Sequence, residues 1–199
     1  MNTMSPTPSS APDPGTRYGG VAIGLHWLIA IAILGSFSLG LYMSDLPLSP
    51  QKLKFYSWHK WAGVTIFLCV LVRLVWRLSH RPPELPDTIP AWQRKVAAAT
   101  HVLLYLLMVV IPITGWLMSS AMGFQTVYFG VLPLPDLLVR NDELGERLQQ
   151  VHTLLNYGMA ALVVAHLGAA LKHHFIDRDE VLARMVPFLG NKPSHGDTR

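Results

Sequence analysis

The chain has 199 residues, of which 51% are hydrophobic and only 14% charged. A soluble domain carries about 25% charged residues, so this composition excludes a soluble globule; the apolar content excludes disorder, and the single cysteine, Cys69, excludes a disulfide-stapled secreted domain. The net charge is +4, but the basic residues flank apolar runs instead of forming a patch with interleaved aromatics, which points to membrane topology and away from nucleic acid.

Residues 1–16 are rich in Pro, Ser and Thr, have no periodicity and read as a disordered tail. The first apolar run, Val21 to Met43, can cross a bilayer, since about 20 helical residues cover about 30 Å of hydrocarbon. It is long for the core of a signal peptide and no cleavage motif follows it. Asp45 to Pro50 ends it at a turn. The second run, Tyr56 to Leu78, is apolar except for His59, Lys60, Arg73 and Arg77, and His80-Arg-Pro-Pro-Glu-Leu-Pro86 breaks it. The third, Val96 to Ser119, contains Pro112 and Gly115, which predicts a kink in its outer half. The mixed segment from Ser120 to Leu138, with Pro133 and Pro135, is expected to fold over the outer surface. Asn141-Asp-Glu143 reads as a capped, acidic helix start leading into the fourth run, Val151 to Phe175.

This pattern predicts an all-α, integral membrane four-helix bundle over residues 17–187, followed by a solvated tail at 188–199. Eleven Lys and Arg lie on the side of the two termini and the loop after the second span, against five in the other two loops. The positive-inside rule therefore places both termini in the cytoplasm. Cys69, at mid-span, reads as a packing residue.

Five of the nine histidines fall in or at the edge of the apolar runs: His26, His59, His101, His152 and His166. Polar side chains in hydrocarbon are expensive and tend to be functional, although a histidine can also simply hydrogen-bond across a helix interface. Here the positions agree with one another. His152 and His166 are 14 residues apart, so they share a face to within about 40° and differ in depth by about 21 Å. His26 opens the first span on the inner side, and His59 lies early in the second span on the outer side. The depths match as two pairs, His26 with His166 and His59 with His152. Zinc wants further Cys or carboxylate ligands, which the spans do not offer. Bis-histidine ligation of haem iron needs only two imidazoles across an apolar slot. Small residues, among them Gly24, Gly35, Gly63 and Gly168, would make room for such a disc, and they also serve ordinary helix packing. Arg73 and Arg77 lie 14 and 18 residues after His59, on its face and at the depth of the inner pair. They either meet anions such as haem propionates or snorkel to the inner headgroups.

These features together resemble the bacterial cytochrome b561 family. The resemblance runs from Arg17-Tyr18 to about Met185-Val-Pro187 and is carried by Leu25-His-Trp27, Trp58-His-Lys-Trp-Ala-Gly63, Val72-Arg-Leu-Val-Trp-Arg77, His101-Val-Leu-Leu-Tyr105, Pro112-Ile-Thr-Gly115, Val151-His152, Ala165-His166 and His173-His174. It implies a four-helix bundle in the bacterial inner membrane that binds two haem b groups, with iron ligands His26 and His166 on the inner side and His59 and His152 on the outer side.

The resemblance further implies electron transfer to quinone, with ubiquinone the expected acceptor and superoxide the donor. Lys60, with Lys52 and Lys54, would attract such a small anion to the outer haem, or is an ordinary basic interfacial loop residue. His101, with Tyr105 one turn on, contacts a propionate or quinone, or packs helices. His173, seven residues after His166, relays protons to a quinone, or is a surface histidine in Lys172-His-His174. A rival reading is a membrane anchor that relays electrons for a partner dehydrogenase or hydrogenase, docked on the long outer segment from Ser119 to Gln150. Membrane lipid surrounds the bundle in either case.

Overall fold

Each long apolar run becomes one helix, because a chain in hydrocarbon must satisfy its backbone polar groups internally. The computed structural model describes residues 18–80, 83, 89–186 and 189. The expected tails, 1–16 and all but Leu189 of 188–199, and most of the loop after the second span, lie outside the described residues. Four helices, α1 (Gly20–Ser44), α2 (Pro50–Ser79), α3 (Ala91–Ala121) and α4 (Asp142–Lys172), are each long and apolar enough to span a membrane. A two-stranded hairpin, β1 (Val127–Tyr128) with β2 (Leu132–Pro133), lies between α3 and α4.

The helix ends follow local chemistry. Ser49 caps α2 by accepting from the Lys52 backbone N–H at 3.2 Å, and Pro50 takes the first helical position, where no N–H is needed. The Lys52 ammonium reaches back to the Leu46 and Ser44 carbonyls at 2.5 and 3.3 Å, supplying positive charge at the C-terminus of α1. The expected start at Asn141 is present: its side-chain oxygen accepts from the Leu144 N–H at 3.0 Å, with Asp142 and Glu143 in the first turn. That cap sits nine to ten residues before the apolar run at Val151, so α4 begins more than two turns ahead of that run. The segment between α3 and α4 is 122–141, close to the mixed 120–138 segment expected, and the stretch 119–150 named as a docking surface includes the first turns of α4. α3 continues through Pro112 as one helix.

α1 packs on α2, α2 on α3, and α3 on α4. The tightest apolar cluster joins the first three helices: Ile29, Ile66 and Val70, ringed by Ile33, Cys69, Leu74 and Met108. Cys69 is a packing residue there, as its mid-span position suggests. Beyond α4 the chain makes one π-helical turn, His173–Asp177, and passes through Arg178 in the left-handed region (φ 56°). It then returns to α1, where the Trp27 indole N–H donates to the Met185 carbonyl at 2.9 Å.

Candidate functional site

The helices bring the histidines together in two pairs at two levels of the bundle. The ring centres of His26 (α1) and His166 (α4) are 6.4 Å apart, and those of His59 (α2) and His152 (α4) are 6.3 Å apart. The two ring planes of each pair are steeply inclined to one another, at 64° and 84°. α4 contributes one member to each pair.

The outer pair is held by two cradles of the same design. The His59 Nδ1 lies 3.0 Å from the Ser36 carbonyl and 3.2 Å from the Ser36 hydroxyl of α1. The His152 Nδ1 lies 3.1 Å from both the Ile111 carbonyl and the Thr114 hydroxyl of α3. A carbonyl can only accept, so Nδ1 carries the proton in both rings and Nε2 is left with a free lone pair. That is the arrangement by which proteins orient a metal-binding imidazole. One turn beyond each carbonyl stands a glycine. A Cβ on Gly40 would fall 3.3 Å from the His59 Cε1, and one on Gly115 only 3.0 Å from the His152 Cε1. The glycines Gly24, Gly35, Gly63 and Gly168, singled out in sequence as making room, have no protein atom within 4 Å of such a Cβ.

This geometry suits bis-histidine ligation. Imidazole–metal bonds of about 2.0–2.1 Å, with the nitrogen about 1.1 Å from its ring centre, put two opposed imidazoles about 6.3 Å apart. Both pairs match that spacing, and the outer pair presents the required tautomer. His101 does not match that spacing: its ring centre is 5.3 Å from that of His166, which places it beside the inner pair.

Next to the inner pair, Arg73 ties three helices together. Its Nε donates to the Tyr105 hydroxyl of α3 at 2.9 Å, and one terminal nitrogen donates to the Ala22 carbonyl of α1 at 2.7 Å. The Arg77 guanidinium lies over the Tyr105 ring, 5.6 Å from its centre. Among the described residues neither arginine makes an ion pair, and the apolar runs carry no Asp or Glu. Two cations so placed favour an anionic ligand.

Lys60, beside His59, donates to the Phe124 carbonyl at 2.9 Å and so also fastens the outer segment. His173 is half-buried, with Nδ1 2.6 Å from an Asp179 carboxylate oxygen and 3.3 Å from one of Asp177. Lys172 pairs with Asp177. The π turn and the left-handed Arg178 fold both aspartates back over the histidine, a grouping that the sequence reading missed.

A family profile described as prokaryotic cytochrome b561 matches residues 17–188. The chain belongs to that family. Among similar proteins, "Cytochrome b561 homolog 2" of Escherichia coli (strain K12) is 37% identical over 172 residues, covering 85% of this chain and 91% of that protein. "Cytochrome b561 homolog 1" of the same organism is 28% identical over 86% of this chain and 97% of its own length. "Probable superoxide oxidase CybB" of Yersinia pestis is 28% identical over 86% of this chain and 96% of its own. This b561 protein is thus a bacterial membrane cytochrome b, a redox protein of a family that binds haem b.

Proposed function

We propose that this b561 protein carries two haem b groups and passes electrons from superoxide, at the outer face, to ubiquinone in the inner membrane. The observation that carries the reading is the pair of histidine couples with ring centres 6.3 and 6.4 Å apart at two depths. His59 and His152 are the ligands of the outer haem, and His26 and His166 those of the inner one. The basic residues beside the termini favour an orientation with both ends in the cytoplasm. A haem held by two histidines supplies one-electron transfer without an open coordination position.

The chain's own residues set the conditions. Ser36 and Ile111 hold the outer imidazoles in the ligating tautomer. Arg73, Tyr105, Arg77 and His101 offer charge and hydrogen bonds for the carboxylates of the inner group or for a quinone oxygen. The Lys60 ammonium keeps positive charge near His59 for a small anion. His173, steadied by Asp179, delivers a proton toward the quinone. Two superoxide ions lose one electron each to become dioxygen, and those electrons with two protons convert the quinone to quinol. The name of the Yersinia pestis relative supports the donor.

The test is stopped-flow mixing of the purified protein with superoxide in the presence of ubiquinone, following quinol and the reduced b-type spectrum together. Quinol formation at two superoxides per quinol is expected. A protein that keeps its spectrum but forms no quinol would sink the donor assignment and favour a protein partner.

Two predictions refine this picture. Lys60→Met should slow superoxide oxidation several-fold at low ionic strength, with the difference shrinking as salt is added, because an attraction through solvent is screened within about 10 Å at 0.1 M. Equal loss at all salt concentrations would point instead to the bond to Phe124. Arg73→Gln removes a cation beside the inner pair, so the inner haem's midpoint potential should fall by tens of millivolts in a redox titration, with the outer one unmoved. An unchanged inner potential would place Arg73 in helix packing alone.

A further inference from the structure

The segment joining α3 to α4 is built unlike a water-exposed loop. From Ser119 to Pro135 it contains no charged residue, and two of its positions, Pro133 and Pro135, have no N–H. Many of its backbone polar groups are met from within the protein. The Trp61 and Trp116 indoles donate to the Val127 and Pro135 carbonyls at 2.7 and 3.1 Å. The Ser119 hydroxyl and Lys60 serve the Phe124 carbonyl, the Ser120 hydroxyl takes both polar groups of Leu138, and the Leu134 N–H donates to the Thr126 carbonyl at 2.8 Å. At the hairpin tip the side chains turned outward are apolar: Phe129 is 59%, Val131 84% and Leu132 56% exposed.

The hairpin also sits deep. The Tyr128 hydroxyl is 2.9 Å from that of Thr65, and the Phe129 ring lies 5.3 Å from that of Trp61. Trp61 and Thr65 follow His59 by two and six residues, so the residues contacted stand about 3 to 9 Å further along α2 than His59. Non-helical backbone at such depth is tolerated where its polar groups are satisfied by protein, as the Phe124, Val127 and Pro135 carbonyls and the Gly130, Val131 and Leu134 N–H groups are.

We propose that the β1–β2 hairpin is a membrane-dipping element whose tip, Phe129 to Leu132, is immersed in the lipid of the outer leaflet. The occupant of this apolar surface is acyl chain and not a protein partner: it lies at hydrocarbon level and offers no charge for a partner to read. The left-handed conformations at Phe129 (φ 50°) and Gly130 (φ 71°) turn the chain back within three residues, so the strands return to the protein.

The experiment places an environment-sensitive NBD label at Val131→Cys or Leu132→Cys, with Cys69→Ala removing the native thiol, in haem-loaded protein in phosphatidylcholine nanodiscs. Val139→Cys, next to Arg140 and 89% exposed, is the water-facing control. At 131 and 132 we expect blue-shifted emission, quenched several-fold more by doxyl-labelled lipid than by iodide, with the reverse order at 139. Iodide quenching at 131 and 132 equal to that at 139 would overturn the proposal. So would labels that neither quencher reaches, since that surface would then be covered by protein, a partner or a second copy.

Discussion

Alanine at His59 and alanine at His152 are expected to remove the same haem, halving the b-type absorbance per chain, while alanine at His26 and at His166 removes the other. The argument is geometric. Each pair spans one bis-histidine distance, and the two pairs share no residue although both use α4. Loss of one imidazole leaves the opposed one with a single weak attachment. The double variant His59→Ala/His152→Ala should therefore lose no more haem than either single change, the non-additivity expected of groups that act as a unit. A pyridine haemochrome count and a reduced-minus-oxidised spectrum on purified variants read this directly. Loss of both haems in every variant would mean that the sites are one cooperative unit; no loss at His26 would move the inner ligand to His101.

The second large effect needs no change to any ligand. Glycine to alanine inside a helix is normally favourable by about 1 kcal/mol, so Gly115→Ala should stabilise α3 if nothing stood nearby. A Cβ there comes 3.0 Å from the His152 ring. The ring cannot swing away without breaking the 3.1 Å bond from its Nδ1 to Ile111, one turn earlier on the same face of α3. We therefore expect Gly115→Ala to lower occupancy of the outer haem and Gly115→Val, with two further methyls, to abolish it, while the inner haem remains. Gly40→Ala, at 3.3 Å from His59, should do the same more mildly. Gly158→Ala, which meets no protein atom within 4 Å, is the control. Haem stoichiometry across the four variants gives the order, and full occupancy in Gly115→Val would remove the cradle from the account.

What the sequence discloses here follows from its physics. Hydropathy locates the four spans because burial of apolar surface in lipid is written into composition, and the Asn141 cap is legible because it is local. The histidine pairing is readable because depth along a helix is a linear function of residue number. The cradles are not. That Gly40 faces His59 and Gly115 faces His152 depends on how neighbouring helices are rotated, and the small residues that attract attention in sequence, Gly35 and Gly63, are other ones. The overrun of α4 toward Asp142 is invisible to hydropathy, since helix continues there in polar residues. The hairpin is hidden for a different reason: strands of two residues are too short to show alternation. The grouping of Asp177 and Asp179 over His173 rests on a π turn and one left-handed residue, neither of which has a sequence pattern of its own.

The division of ligands among the helices also sets the order in which this protein can be assembled. Because α4 supplies one histidine to each pair, a nascent chain with three helices inserted has only one member of each pair, His26 and His59, and neither pair is complete. The Trp27 contact with Met185 is likewise made only when the chain has returned from the fourth crossing. On the proposed ligation, stable loading of either haem follows synthesis and insertion of the last helix. That ligation makes apoprotein a precursor of the holoprotein, and chains interrupted before His152 should be colourless however much haem the cell supplies.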